Sequence, residues 1–590
     1  MRDQFPHRAA NLVLEAFIAH NAAFTEITRR AQKRFLDRDW AAGQRDAVER
    51  LDAYDRALDQ VEELLTRELG QAAREQPLWS AAKACFAGLM KGRYDTDRAE
   101  TFYNSVTRRM LLTVGINRDV EFFYLHTRPA SAPSGEPAYR TYPRVPDTAS
   151  LIRTILLEAP LGAHLEDPAR DAALVAQEID LCMWPITGTG GAYAIEVATP
   201  LFYRNKEAYV VGRIVAGDRT IPMIIPLAHG ESGVRAETVL LHEAEAIILF
   251  SFAYSYFFVD VDRYDALIAF LRSIMPRAEL AELTTSLGYN RHGKTEFYRD
   301  LHRFVHVSRE RFIVAPGLEG AVMIAFTLPN FGFVFKVIKD RACFLRSQAG
   351  TPKLISRESV RAQYAFVSHR DRAGRMVDTQ EFENLRFRRK RFSAALLEEF
   401  DAAARGSVAI ADEYVILRHL YVQRKVTPLP LYFDGEKDPE ALRAVLVDFG
   451  YFLKDIAASG VFPGDLFNTW NYGVTHWGRV VLYDYDDVLP MERVRFREKP
   501  AAEEDGRENE PDEDRFSAGD EDFFIDEIEQ YSGVPGPLKG ILKSVHGDLY
   551  TLEFWRELTA RLRRGEIVDV LPYDRTKQFR NRMLPSPLTS

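Results

Sequence analysis

Cysteine is scarce, with three thiols in 590 residues, Cys85, Cys182 and Cys343. They stand far apart and show no C-x-x-C spacing, which argues against a disulfide framework or a zinc knuckle and suits a reducing cytoplasm. Long apolar runs are missing as well. The longest, Ala246 to Val259, is too short to span a bilayer and reads as a buried helix, while Met1 to Arg8 is charged and lacks the apolar core of a signal peptide. No positive field exists either: Lys and Arg number 77 against 86 Asp and Glu, a net charge of -9. That balance excludes a global surface for nucleic acid or an anionic membrane, so the basic run Arg386 to Arg391 reads as a solvated face. Nothing recurs at a fixed period, which sets solenoids aside.

What is present is ample material for cores. Hydrophobic residues make up 46% and aromatic residues 12%, and the length calls for two large domains. The first 110 residues read as helices, with Leu51, Tyr54, Leu58, Val61 and Leu65 recurring at three and four. Short β-rich runs follow over about 195–227, including A-Y-V-V-G-R-I-V, before apolar helix returns after Thr238. Near Arg311 the texture changes again: R-F-I-V, A-V-M-I-A-F-T and F-V-F-K-V-I-K give three strand-like segments near 311–340, joined by Gly/Pro turns. We place the domain boundary there, giving 1–310 and 311–590. Ala441 to Ser459 has helical periodicity and Arg479 to Tyr485 reads as a buried strand. The stretch 498–521, rich in Glu, Asp, Gly and Pro, reads as an exposed acidic loop.

Two patterns resemble sites and fail on inspection. His242-Glu243 begins H-E-x-x-H, but position 246 is Ala, so the second zinc ligand is missing. Gly188-Thr189-Gly190-Gly191 lacks both the lysine of a Walker loop and the G-x-G-x-x-G spacing, and reads as a turn.

Phosphoryl transfer needs backbone amides over phosphates, a lysine on them, and carboxylates that hold magnesium. The second half offers all three. Ala315, Pro316, Gly317, Leu318, Glu319, Gly320 and Ala321 form a turn between two strands, where the glycines would let N–H groups approach phosphate oxygens. On the next strand Val334, Lys336 and Ile338 share one face, and Phe333, Phe335 and Val337 the other. A lysine among apolar residues is costly without an anionic partner, so Lys336 is the phosphate-binding candidate and Lys339 a solvated residue. Downstream, F-P-G-D-L-F-N-T-W-N-Y-G-V and G-R-V-V-L-Y-D-Y-D-D place Asp465, Asn471 and Asp484 in the order in which a kinase carries its catalytic Asp and its two metal ligands.

Read together, these segments resemble the isocitrate dehydrogenase kinase/phosphatase family. The resemblance rests on F-Y-R-N-K at 202–206, F-T-L-P at 326–329, V-F-K-V-I-K-D at 334–340, G-R-M-V-D-T-Q-E-F-E-N at 374–384, R-H-L-Y at 418–421, F-P-G-D at 462–465 and Y-D-Y-D at 483–486. It implies an α+β protein with a mostly helical N-terminal regulatory domain followed by a bilobal protein-kinase-like domain. It also implies a cytoplasmic enzyme that phosphorylates and dephosphorylates one serine of isocitrate dehydrogenase, at the branch between the citric acid cycle and the glyoxylate bypass. ATP with Mg2+ or Mn2+ is the implied cofactor pair, AMP the implied allosteric ligand, and Asp378, in V-D-T-Q, the implied phosphatase residue. A homodimer is expected; nucleic acid and membrane partners are not.

One departure bears on activity. A generic kinase loop puts asparagine five residues after aspartate, whereas Asp465 to Asn471 is six. The family reads roughly D-M-L-F-K-N-F-G, and Trp470 stands where its lysine precedes the asparagine. If the backbone bulges, Asn471 reaches the metal; otherwise Asn468 or water takes its place. The alternative to a bifunctional enzyme is therefore an adenine-nucleotide-binding pseudokinase that regulates a protein partner by binding.

Overall fold

The computed structural model describes residues 4–124, 138–143, 145, 147–188, 193–250, 256–317, 320–345, 352–464, 466, 468–498, 521–525, 528 and 534–583. The chain forms two compact units: one comprises residues 1–251, 255–309 and the segment from 571 onward, the other residues 252–254 and 310–570. The final segment thus groups with the first unit rather than with the chain immediately before it.

The first unit opens with α1 (Phe5–Leu36), α2 (Trp40–Leu69), α3 (Gln76–Leu89) and α4 (Thr96–Leu111). Pro6 lies in the first turn of α1, where its missing N–H costs nothing, and the Asp39 carboxylate accepts from the Ala42 amide at 3.0 Å to cap α2. Leu58, Val61 and Leu65 of α2 meet Ala9, Leu12, Val13 and Phe17 of α1 in one core, and Trp79, Phe86, Phe102 and Tyr103 from α3 and α4 fill it. Next come β1 (Tyr139–Pro143), α5 (Thr148–Glu158), α6 (Pro168–Thr187), β2 (Ala194–Ala198), β3 (Phe202–Arg204), β4 (Glu207–Ala216), β5 (Arg219–His229) and β6 (Val234–Ala236). The strands make one antiparallel sheet, β1-β2-β4-β5-β6, with β3 on β4. The sheet is therefore wider than the β-rich run over 195–227.

Four further helices complete this unit: α7 (Glu243–Phe250), α8 (Tyr264–Ile274), α9 (Leu280–Ser286) and α10 (Asn290–Val307). The apolar run expected as one buried helix is not one. Helix α7 covers its start, and at its end Phe258 exchanges backbone hydrogen bonds with Tyr203 in an isolated antiparallel bridge. Consecutive aromatic residues, Tyr256 to Phe258, favour that extended pairing. The C-terminal segment packs on the same unit, with Phe579 buried in the core under the sheet and its amide donating to Glu237 O at 2.9 Å.

The second unit begins with β7 (Ile313–Val314), β8 (Met323–Thr327), β9 (Phe333–Ile338), β10 (Ala342–Leu345), β11 (Pro352–Ile355), α11 (Arg357–Arg370), β12 (Thr379–Arg388), α12 (Ala394–Ala403), β13 (Val408–Ile410) and β14 (Tyr414–Arg424). All but β10 and β11, which pair with each other, join in an antiparallel sheet of order β12-β14-β9-β8-β7, with β13 beside β14. The period-2 alternation of β9 is realised in space. Phe335 points into an aromatic layer with Phe312 and Phe326, which Phe400 of α12 closes, while Ile338 joins Met323, Tyr421 and Val360 of α11 on the opposite face. Arg386, Arg388, Arg389 and Lys390 are exposed, as a solvated basic face requires.

Past the sheet come β15 (Thr427–Pro428), α13 (Leu429–Gly435), α14 (Pro439–Ala458), β16 (Val461–Pro463), β17 (Tyr472–Val474), β18 (Val480–Leu482) and β19 (Val488–Pro490). Helices at Gly536–Val545 and Leu552–Arg563 follow. Strands β15, β17 and β18 form one small sheet and β16 pairs with β19. The acidic stretch, apart from Glu498 and Glu521, and Thr189 to Gly191 lie outside the described residues.

Candidate functional site

Strand β9 sits between β8 and β14, with Lys336 opposite Ala325 on one side and Tyr421 on the other. Lys336 is 6% exposed. A buried ammonium needs both hydrogen-bond acceptors and a counter-charge. It donates to Tyr483 O at 2.8 Å, stands 3.5 Å from Asp484 Oδ1, and lies 5.2 Å from the centre of the Tyr483 ring. The strand lysine and the Y-D-Y-D run, nearly 150 positions apart, are thus joined by direct contact.

The chain from Tyr483 to Asp487 leaves β18 and carries three carboxylates. Burial, then the charges of Asp484 and Asp487, push the Asp486 carboxyl well above its ordinary range against the pull of Lys336. Asp486 Oδ1 is buried without a hydrogen-bond partner. A buried carboxylate oxygen without a partner, as at Asp486 beside Lys336, is the donor chemistry a hard divalent cation satisfies. Among the described residues no group of three or more His, Cys, Asp or Glu that could hold a metal ion occurs.

Asp465, Leu318 and Glu319 lie outside the described residues. Gly464 donates its amide to Asp487 O at 2.6 Å, and a Cβ there would lie 2.5 Å from the Asp487 carboxylate, so a larger residue would have to displace that side chain. Asn471 ends a short 3-10 turn, Thr469–Asn471. Its carbonyl accepts from the Tyr483 amide at 3.1 Å, and its Oδ1 accepts from Asn468 Nδ2 at 3.3 Å. Asn471 is therefore tied to Tyr483, the residue before Asp484. In the turn after β7, the Ala315 amide donates to Ala325 O at 2.9 Å, while Pro316, Gly317, Gly320 and Ala321 are exposed. Gly317 has φ +131°, and a Cβ built on it would lie 3.7 Å from the ring of Trp470. Lys339 is half-buried rather than fully solvated.

Asp378 immediately precedes β12. The Val377 amide donates to Leu482 O at 3.0 Å, and the Tyr485 hydroxyl donates to Val377 O at 2.5 Å. The structure thus brings Asp378's segment alongside β18 and the carboxylate run. Behind it lies an ion cluster that sequence reasoning missed. Arg375 reaches Asp455 at 3.0 Å through Nε and Asp448 at 2.7 and 2.8 Å through its two terminal nitrogens. Burial opposes ionisation of Asp448, but the Arg375 guanidinium outweighs it and holds the carboxyl below its ordinary range. The signal was available: carboxylates at 448 and 455, seven apart, share a helix face with Phe452 and so required a buried cation.

In the first unit a cleft of about 470 Å3, including its open mouth, is lined by Arg98, Thr101, Tyr289, Asn290, Arg291 and His292, with others. The Arg98 guanidinium lies 4.9 Å from the centre of the Tyr289 ring. Burial, then the charges of Arg299 and Arg98, lower the His292 pKa to about 3, and Thr101 Oγ1 lies 2.9 Å from its Nδ1. This site was not assigned to any residue from sequence.

Residues 10–309 match the family model described as isocitrate dehydrogenase kinase/phosphatase (AceK), regulatory domain, and residues 310–575 match the kinase domain of the same family. The chain belongs to the isocitrate dehydrogenase kinase/phosphatase family. Relatives named isocitrate dehydrogenase kinase/phosphatase include one from Anaeromyxobacter sp. (strain Fw109-5), 41% identical over 564 residues, covering 96% of this chain and 96% of its own. A second, from Xanthomonas euvesicatoria pv. vesicatoria (strain 85-10), is 36% identical with 97% of each chain covered. A third, from Polaromonas sp. (strain JS666 / ATCC BAA-500), is 34% identical, covering 98% of this chain and 94% of its own. As a family member the chain is an enzyme of two-part, α+β architecture. None of its described helices is long and apolar enough to cross a membrane.

Proposed function

We propose that this protein is a cytoplasmic, bifunctional regulator that phosphorylates a serine of isocitrate dehydrogenase with Mg-ATP and removes that phosphate again. The observation that carries this reading is the contact of buried Lys336 with Tyr483 O and Asp484. The sheet from β7 to β14 acts as one lobe and the helices and small sheets from α13 onward as the other. Lys336 holds phosphate oxygens, and amides of the turn at 315–321 cover them. Asn471 and Asp484 would hold the magnesium, with Asp486 close by; the ion would supply charge stabilisation for the moving phosphoryl group. Asp465 orients or accepts the proton of the serine hydroxyl. Asp378 serves dephosphorylation in the same cleft. In the first unit, the cleft beside Tyr289 suits the phosphate of AMP, with Arg98 and Arg291 in its lining as guanidinium donors.

The test is transfer from labelled Mg-ATP to isocitrate dehydrogenase, and release of label from phosphorylated isocitrate dehydrogenase with adenine nucleotide present. We expect both. Absence of both overturns the enzymatic reading and leaves the pseudokinase; release without transfer assigns the lengthened loop a cost to the kinase alone.

A further inference from the structure

The loop after Asp465 has one residue more than the kinase pattern. Its end forms the 3-10 turn Thr469–Asn471, whose N-cap is Asn468. The Asn468 carboxamide is held in one orientation by chemistry. The Trp470 amide lies 3.2 Å from one of its terminal atoms and can only donate, so that atom is Oδ1. The other terminal atom is then the Nδ2 donor, and it faces Asn471 at 3.3 Å. A donor there requires that Asn471 present its own oxygen. The orientation of Asn471 is thereby fixed in turn: Oδ1 is the atom that accepts from Asn468 Nδ2, and a carboxamide oxygen has a second lone pair beside the one so engaged.

We propose that Asn468 is a positioning residue that presents the free lone pair of Asn471 Oδ1 to the magnesium of Mg-ATP, and that this relay is what lets the lengthened loop keep a working metal site. The proposal rests on the kinase reading above. A free asparagine flips between two nearly isosteric orientations, and in one of them it offers a cation two N–H bonds instead of an oxygen. Asn468 removes that orientation, as outer-shell partners do for metal ligands generally. Its contribution is therefore to metal affinity and not to the nucleotide's ring or to the protein substrate.

The decisive comparison uses the full chain and two variants. Asn468→Ser keeps an oxygen that caps the turn but loses the donor to Asn471; Asn468→Ala loses both. Binding of a fluorescent ATP analogue is titrated against Mg2+, which requires no turnover. We expect both variants to need about 10-fold more Mg2+ than the parent for half-maximal nucleotide binding, since outer-shell partners are typically worth about 10- to 100-fold in metal affinity. At saturating Mg2+ nucleotide affinity should return to the parent value. Thermal melting should place the Ser variant with the parent, separating metal positioning from loop stability. An unchanged Mg2+ requirement in both variants overturns the proposal, as does a loss in Ala alone, which would make Asn468 a turn cap only. If the parent binds Mg-ATP with the expected dependence and transfers no phosphate, the kinase reading falls and the positioning role stands; if Mg2+ has no influence on nucleotide binding in the parent, both fall.

Discussion

Replacing Arg375 with methionine should be among the most damaging single changes in the second unit. The Arg375 side chain is 4% exposed and sits between Asp455, 2% exposed, and Asp448, 24% exposed. It donates three charge-assisted hydrogen bonds to those carboxylates and one more to Val480 O at 3.1 Å. Methionine matches much of the volume, so the loss is electrostatic: two carboxylates keep their charge and lose their cation. Breaking a buried pair in this way costs about 3–5 kcal/mol. The pH dependence has a definite sign. Asp448 titrates below its ordinary value in the folded protein, so its contribution is complete above the ordinary carboxylate pKa and is lost as pH falls through the folded one. The deficit of Arg375→Met should therefore be largest near neutrality and shrink below about pH 4, where unfolded carboxylates protonate. Amide hydrogen exchange of α14 and β18 isolates this region from the first unit, and adding Asp448→Asn and Asp455→Asn to the variant should recover part of the loss. A cost under about 1 kcal/mol, typical of an exposed pair, or one that does not vary with pH, would refute the reasoning.

Lys336→Met should lower transfer to isocitrate dehydrogenase by about 100- to 1000-fold, the cost of one lost transition-state contact, measured in single-turnover assays; Lys336→Arg should not rescue it, because the fork does not fit a point-charge site. Asp378→Ala should lower dephosphorylation by about 100-fold or more while transfer keeps its order of magnitude, since it removes one acid–base group; equal losses in both directions would reassign Asp378 to shared nucleotide binding. His20, packed against Tyr54 and Phe102, has its pKa lowered by burial to about 4. The unfolded chain thus binds a proton that the folded one refuses between about pH 6.5 and pH 4. His20→Phe should therefore gain stability relative to the parent as pH falls through that window, by roughly 1.4 kcal/mol per pH unit, in chemical denaturation followed at several pH values. A gain that stays constant with pH would show that the imidazole is not held neutral.

Much of this architecture was legible because local and long-range signals agreed. The stripe Leu58, Val61 and Leu65 is buried at helical spacing, and the alternation in β9 separates Phe335 from Lys336 across the sheet. Where the reading stopped short, the missing term was tertiary. Tyr139–Pro143 forms an edge strand whose pairing with Ala194–Ala198 spans more than fifty residues, and no local pattern in Y-R-T-Y-P announces that partner. The run from Ala246 read as helix because apolar content alone does not distinguish helix from buried strand; Phe258 found Tyr203, and the pairing decided it. Asn468 was visible only as a rival to Asn471. The amide that orients it belongs to a turn whose existence depends on the fold.

The arrangement around β18 explains how candidate site residues so distant in sequence are held to a common geometry. Leu482 donates its amide to Arg375 O at 2.7 Å and accepts from Val377, so the segment leading to Asp378 is laced to the strand leading to Asp484. One residue on, Tyr483 gives its amide to Asn471 O and its carbonyl to Lys336. Both backbone groups of Tyr483, the residue before Asp484, are thus engaged, one by Asn471 and one by Lys336. The Arg375 cluster anchors this frame to α14. A displacement of about 1 Å in a reacting group can cost on the order of 100-fold in rate, so a frame of backbone hydrogen bonds is the economical way to keep Lys336, Asp378, Asn471 and Asp484 in register. It follows that substitutions behind the frame, at Arg375 above all, should depress transfer and release together, whereas a substitution in front of it, at Asp378, should separate the two.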